Sequence, residues 1–158
     1  MPESENKPVT IQLLGEYLRA ECYQPALYHL GGSWNHCGDT YCIEQTSAGF
    51  EAFYVERGQR SSDCFIEQDE ATACRRFIDL LDRQSWSRGH CIAFTPDVAE
   101  IEATTLTLQR HGIQAVRNDI PAYRLTGDRR FRLFVFGRDL QVVHQLVASG
   151  ALSPLSNT

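Results

Sequence analysis

The spacing of apolar residues predicts two helices within the first 88 positions. Thr10 can cap a helix that runs to about Glu21, because apolar residues follow it at helical spacing: Ile11, Leu14 and Leu18. The clearest helical pattern covers residues 68–83, where a wide apolar stripe follows acidic residues in the first turn, as the helix dipole favours. We expect this second helix to cover one face of a sheet.

Alternating apolar and polar residues between these helices predict that sheet. A short strand is expected at 26–30, and three further strands are expected at 41–45, 50–57 and 64–66. Residues 33–40 are polar and typical of a loop. Because the connections are too short for crossovers, we expect an antiparallel meander. The three later strands give the first half the order α-β-β-β-α, which leaves out the short strand at 26–30.

The pattern beyond residue 89 differs, because one helix separates a buried strand from the later strands. Thr95 can cap that helix, with Pro96 at its first position, and the helix runs to His111. We expect strands at 91–94, 113–116, 122–125 and 131–136. Turns are expected at 119–121 and 126–128. Asp139 can cap a final helix that ends at Gly150. This β-α-β-β-β-α order contains a right-handed βαβ crossover followed by antiparallel strands.

These patterns together predict an α+β fold. An antiparallel β-meander with covering helices, residues 1–88, is followed by a β-α-β-β-β-α half, residues 89–158. The two halves form either two packed units or one continuous domain, and the pattern favours neither.

Charge distinguishes the two halves. Residues 1–88 contain 14 acidic and 8 basic residues, a net charge of −6, whereas residues 89–158 contain 6 and 7, a net charge of +1. The acidic half repels phosphate backbones, which disfavours nucleic-acid binding, and it attracts a basic partner. No apolar run is long enough to span a membrane and the polar N-terminus lacks the pattern of a secretion signal, so we expect a cytoplasmic protein without a membrane partner. That compartment is reducing, and we expect all six cysteines to be free thiols.

Three groups of residues contain side chains that could form a metal site, a catalytic site or a nucleic-acid site. Four potential zinc ligands are close in sequence: His29, His36, Cys37 and Cys42. Their spacing disfavours a metal site, because adjacent ligands rarely reach one tetrahedral ion and no Cys-x-x-Cys pair is present. His90 cannot easily activate Cys91, since neighbours in a strand point to opposite faces. An arginine-rich strand around Phe131 is better explained as a central strand than as a surface for stacking bases, so we predict no metal, cofactor or catalytic residue.

One further pattern lies between residues 50 and 81. An aromatic strand ends in Glu-Arg-Gly, a short loop follows, and a helix opens with acidic residues, alanine and cysteine: Tyr54-Val55-Glu56-Arg57-Gly58, Phe65, Asp69-Glu70-Ala71, Cys74 and Phe77. This arrangement resembles immunity proteins, the small cytoplasmic bacterial proteins encoded beside polymorphic toxins of contact-dependent or type VI/Rhs-like effector systems. The second half is more loosely similar to them in two motifs: Arg117-x-Asp119-Ile120-Pro121 and Arg132-x-Phe134-Val135-Phe136-Gly137.

The resemblance implies a non-enzymatic protein for interbacterial competition. Such proteins bind the toxin domain delivered by a neighbouring cell and block its active site or substrate entry. Many toxin domains that act on nucleic acid or nucleotides are basic around the active site, so we expect the acidic half to form the contact. The expected contact residues are four carboxylates and two aromatic anchors: Asp39, Glu44, Glu51, Glu56, Trp34 and Tyr41. Glu56 has an equal alternative, an ion pair with Arg57 at the strand end.

Two other functions stay open at this point. The chain could be a regulatory module that binds a small ligand in an apolar pocket near residues 84–89. It could instead be an enzyme that reverses the toxin's modification, with a titratable cluster that no local motif reveals. An enzyme would protect at far below one molecule per toxin, whereas a blocking protein must be stoichiometric.

Overall fold

The structure, a computed structural model, describes residues 7–124 and 127–154. Within these residues it has the predicted α+β fold, with four α-helices and two sheets. The chain divides into two compact units, residues 1–87 and residues 88–158, and each has its own sheet and apolar core. Among the described residues, none of the helices combines the length and apolar character needed to cross a lipid bilayer.

The first unit contains a four-stranded sheet and two helices. Its elements are α1 (Ile11–Ala20), β1 (Tyr28–Leu30), β2 (Thr40–Thr46), β3 (Gly49–Glu56), β4 (Gln59–Glu67) and α2 (Glu70–Asp82). The strands follow one another across the sheet in sequence order, and β2, β3 and β4 pair antiparallel as expected. The expected antiparallel direction is wrong for β1, which is parallel to β2 and adds a fourth strand to the unit. The reason is the connection at residues 31–39, which contains a 3₁₀ turn (Trp34–His36) and returns along one face of the sheet.

Both helices of this unit begin at side-chain caps. The Thr10 hydroxyl accepts a hydrogen bond from the backbone N–H of Leu13 at 3.2 Å. The Asp69 carboxylate accepts hydrogen bonds from the backbone N–H and the hydroxyl of Thr72 at 2.8 and 2.7 Å. Asp69 is therefore the cap residue before α2, whereas the sequence placed it in the first turn of the helix. The two helices share one apolar core with the sheet, in which the following side chains are fully buried: Leu14, Leu18, Ile43, Phe77 and Leu81.

The second unit has the predicted β-α-β-β-β-α order. Its elements are β5 (Gly89–Thr95), α3 (Val98–Arg110), β6 (Val116–Arg117), β7 (Ile120–Tyr123), β8 (Asp128–Phe136) and α4 (Asp139–Ala148). β8 pairs antiparallel with each of the other three strands, so β5 and β6 run parallel to each other with β8 between them.

Several strand boundaries in this unit differ from the prediction, and Asp128, expected in a turn, begins β8. The strand expected at 113–116 is instead the two-residue β6, Val116–Arg117, and Pro121, expected in a turn, lies within β7. A proline is tolerated there because β7 pairs with a single neighbour, β8, and needs no second ladder of donors. Leu125 and Thr126, expected at the end of a strand and in its turn, lie outside the described residues.

The predicted caps of α3 and α4 are also wrong. Thr95 still belongs to β5, where it pairs with Phe131, so the cap of α3 is Asp97. The Thr95 hydroxyl instead accepts from the backbone N–H of Asp97 at 3.1 Å and shapes the entry to the helix. Asp139 is the first residue of α4, where its charge still suits the helix dipole.

Candidate functional site

One face of the first unit's sheet lies opposite the helices, and we call it the outer face. At its centre are three fully buried side chains: Cys42, Phe53 and Val55. The ring of Trp34 packs edge-on against Phe53 with the ring centroids 5.2 Å apart, and Cys37 packs on the same cluster. The 31–39 connection therefore forms the layer that covers this small core.

Two of the expected contact residues, Glu44 and Glu51, are cross-strand neighbours on the outer face. Glu44 accepts a hydrogen bond from the Trp34 indole N–H at 3.3 Å. Glu51 accepts from the Thr46 hydroxyl at 2.7 Å and from the Arg60 guanidinium at 3.0 Å, and these bonds lower the pKa of Glu51. Like charges directly opposite each other repel, and these neighbours offset that repulsion. Both carboxylates are therefore already engaged within the unit.

Aromatic side chains on the helix-facing side of the sheet form a pocket of about 230 Å³, which we call the tyrosine pocket. Tyr41 and Tyr54 are cross-strand partners there, with ring centroids 4.9 Å apart. The side-chain amide of Gln84 donates to the Tyr41 hydroxyl at 3.1 Å and holds one wall in place. The remaining walls are formed by Leu27, Asp39, Ser85 and Trp86.

Two carboxylates give the tyrosine pocket a negative potential. Burial raises the pKa of Tyr54, and the neighbouring Asp39, Tyr41 and Glu56 raise it further. The side chains of Asp39 and Glu56 are exposed, and neither forms a hydrogen bond or ion pair with the part of the chain that the structure describes. The alternative pairing of Glu56 with Arg57 is likewise not formed there; Arg57 adopts a left-handed backbone conformation (φ 51°) in the turn to β4.

The six expected contact residues thus fall into two groups. Three lie on the outer face and are bonded to their neighbours or packed on the core: Trp34, Glu44 and Glu51. Of the other three, Asp39 and Tyr41 line the tyrosine pocket, and Glu56 lies close enough to Tyr54 to raise the pKa of that tyrosine. The sequence reasoning did not select Tyr54, Gln84 or Trp86 as contact residues, although the alternative of a regulatory module placed a ligand pocket near residues 84–89. Strand alternation could have revealed Tyr54, whereas Gln84 and Trp86 reach the pocket only through the path of the chain after α2.

Potential metal ligands come together beside the outer face. The ligand atoms of His29, His36 and Cys37 lie within 4.8 Å of one another, and the two imidazole rings meet edge to face with centroids 5.5 Å apart. A side-chain hydrogen bond links Cys42 and Cys37. Burial, followed by the proximity of Cys37 and Glu44, raises the pKa of Cys42 to about 12. Adjacent His36 and Cys37 reach one point because the backbone changes from a 3₁₀ turn to an extended conformation at Cys37 (φ −72°, ψ 148°).

The other two candidates, the Cys91 thiol and the arginine-rich strand around Phe131, lie in the second unit, where their side chains contact the protein itself. The Cys91 thiol donates to the backbone carbonyl of Ala93 at 3.3 Å. Phe131, which would have to stack on a base, is buried, and the Arg117 guanidinium packs over its ring at 4.9 Å. Arg132 donates to the backbone carbonyl of Asn118 at 2.8 Å, so this arginine supports the sheet.

Comparison with known proteins adds no relative: no protein-family model, no curated protein and no solved structure matches this chain.

Proposed function

We propose that this protein is an immunity protein, which binds a cognate toxin domain and neutralises it by stoichiometric occlusion of the toxin's active site. The observation that carries the proposal is the pair of exposed carboxylates, Asp39 and Glu56, beside the tyrosine pocket; no cation pairs with either among residues 7–124 and 127–154. The resemblance of residues 50–81 to immunity proteins supports the same function.

A basic side chain of the toxin is the occupant that suits the tyrosine pocket. A guanidinium or ammonium group is attracted to aromatic faces such as those of Tyr41 and Tyr54, and it forms charge-assisted hydrogen bonds with carboxylates such as Asp39. The pocket volume of about 230 Å³ is below the roughly 300–1,000 Å³ of small-molecule sites but accommodates one long side chain. A toxin domain that is basic around its active site presents such a side chain where it would otherwise hold its substrate.

The charge of the surrounding half favours the same partner. Residues 1–88 carry a net charge of −6, which attracts a basic domain over a distance comparable to the Debye length, about 8 Å at physiological ionic strength. Electrostatic complementarity of this kind raises the association rate and discriminates against wrong partners. The protein would act in the cytoplasm, without a cofactor or catalytic residues of its own, and without nucleic acid or membrane as a partner.

A small-ligand-binding regulatory module is the second candidate. The tyrosine pocket includes Gln84 and Trp86, near the 84–89 position at which the sequence predicts a ligand pocket. Such a module would not protect a cell from a neighbouring toxin, so protection separates the two functions. An enzyme that reverses the toxin's modification would protect, but at much less than one molecule per toxin.

Co-expression with the adjacent gene product tests the proposal. The C-terminal domain of the protein encoded next to this chain is expressed in a host whose growth it arrests, with or without this chain. We expect the wild-type chain to restore growth, and the double variant Asp39→Arg/Glu56→Arg to fail while remaining folded by circular dichroism. Loss of two close charge pairs weakens affinity by about 100-fold or more. A domain that is not toxic, or a toxic domain that the wild-type chain does not counteract, would overturn the proposal.

A matched substitution separates local contact from overall charge. Glu16→Arg on the exposed side of α1 changes the net charge by the same amount as Asp39→Arg alone. We expect Glu16→Arg to protect like wild type and Asp39→Arg to bind the toxin domain more weakly in calorimetry. Equal loss in both variants would assign the effect to the long-range field and would exclude the tyrosine pocket as the contact.

A further inference from the structure

We propose that His29, His36 and Cys37 form a zinc-binding site. Their ligand atoms lie within 4.8 Å of one another although they come from two separate parts of the first unit. His29 lies in β1, where its backbone is opposite Cys42 of β2, whereas His36 and Cys37 end the 3₁₀ turn of the 31–39 connection. The parallel pairing of β1 with β2 is what brings the two parts together.

The donor set and its geometry suit this ion. One thiolate and two imidazoles are ligands that zinc prefers, and they are poor ligands for magnesium or calcium. Bonds of about 2.3 Å to sulfur and about 2.0–2.1 Å to nitrogen at tetrahedral angles place the ligand atoms about 3.3–3.6 Å apart. The side chains therefore need to close by about 1.5 Å at most, and His36 is exposed and can rotate.

Neighbouring groups already orient two of the three ligands. A backbone carbonyl can only accept, so the 2.8 Å contact between His29 Nε2 and the Gly32 carbonyl makes Nε2 the protonated nitrogen. Neutral His29 then has its lone pair on Nδ1, the nitrogen left for a metal, and a carbonyl partner of this kind is typical of metal-bound histidine. Buried Cys42 forms a side-chain hydrogen bond with Cys37, and a neighbouring thiol can donate to a metal-bound thiolate.

Three protein ligands leave one coordination position for water or for a group from a partner, since His36 faces solvent. A metal held there would tie the 31–39 connection to β1. That connection carries Trp34, which covers Phe53, and it ends with Asp39 at the tyrosine pocket. Zinc would thus stabilise the outer face of the first unit, and the inference does not depend on the proposed partner.

Metal titration of the full, untagged chain tests the site. The protein is stripped with a chelator under reducing conditions and titrated with Zn²⁺ by calorimetry and with Co²⁺ as a spectroscopic probe. We expect one Zn²⁺ per chain and a cobalt–thiolate charge-transfer band. His36→Asn and Cys37→Ser each weaken Zn²⁺ binding by about 100-fold or more, and Cys37→Ser removes the band. His36 is exposed, so His36→Asn is expected to fold and keeps the test valid even if Cys37→Ser does not.

Cys91→Ser and His111→Asn provide the controls, because both residues are exposed and lie in the second unit. We expect both controls to bind Zn²⁺ like wild type. The inference is overturned if the wild-type chain takes up no stoichiometric Zn²⁺, if His36→Asn binds as tightly as wild type, or if Cys91→Ser rather than Cys37→Ser removes the cobalt band.

Discussion

Truncation of Trp34 tests how the 31–39 connection is held on the outer face. Trp34→Ala removes the edge-on contact with Phe53, at 5.2 Å between ring centroids, and the 3.3 Å hydrogen bond to Glu44. The aromatic contact contributes about 0.5–1.5 kcal/mol beyond burial, and a partly exposed hydrogen bond about 1 kcal/mol. With the loss of part-buried apolar area, we expect the free energy of unfolding to fall by about 2–3 kcal/mol. Trp34→Phe keeps a ring against Phe53 and should cost only about 1 kcal/mol.

Urea unfolding followed by tryptophan fluorescence measures both losses. The two tryptophans of the chain, Trp34 and Trp86, lie in the first unit, so Trp86 still reports on that unit in the variants. With a slope of about 1.5 kcal/mol per molar urea, the midpoint falls by about 1.5 M for Trp34→Ala and by about 0.7 M for Trp34→Phe. A loss below about 0.5 kcal/mol for Trp34→Ala would refute the packing argument, and equal losses in both variants would refute the role of the ring.

Three further predictions concern the same unit and its cysteines. Phe77→Ala should destabilise the first unit by about 3–5 kcal/mol in the same assay, because Phe77 is fully buried in the core; a loss below about 1 kcal/mol would contradict that packing. Hydrogen bonds from Thr46 and Arg60 lower the pKa of Glu51, so its carboxylate stabilises the fold above the ordinary glutamate pKa and loses this contribution as the pH falls through the lowered value. The stability difference between wild type and Glu51→Gln should therefore be largest near neutral pH and shrink in acid, and a difference that grows in acid would be incompatible with this sign. Iodoacetamide should modify exposed Cys91 in the native protein and leave Cys42, whose pKa burial raises to about 12, unmodified by peptide mass spectrometry; the reverse order would contradict the burial of Cys42.

Local signals predicted the elements where a cap and a periodic stripe agree. Thr10 caps α1 as expected, and α2 (Glu70–Asp82) lies within the predicted 68–83. The direction of β1 could not be predicted in this way, because it depends on the route of the 31–39 connection across the outer face. That route is stabilised by the contact of Trp34 with Phe53, a tertiary contact that no local pattern contains.

The two candidate sites depend on strand register, which explains why only parts of them were predictable. Tyr41 meets Tyr54, and His29 lies opposite Cys42, only through the pairing of β1, β2 and β3. A slip of one residue would send each of these side chains to the other face of the sheet. Residue type and charge were sufficient to select Tyr41 and Glu56 as candidates, but the spacing of His36 and Cys37 argued against the cluster that the 3₁₀ turn forms.

The most direct test of the central claim is a titration of the toxin domain's activity in vitro with increasing amounts of this chain. A tight blocking protein predicts that activity falls in proportion to the added chain and reaches its minimum at one chain per toxin domain, with a much weaker response for Asp39→Arg/Glu56→Arg. Complete loss of the toxin's activity at a small fraction of one equivalent of this chain would contradict the account, and so would full toxin activity in the presence of excess chain.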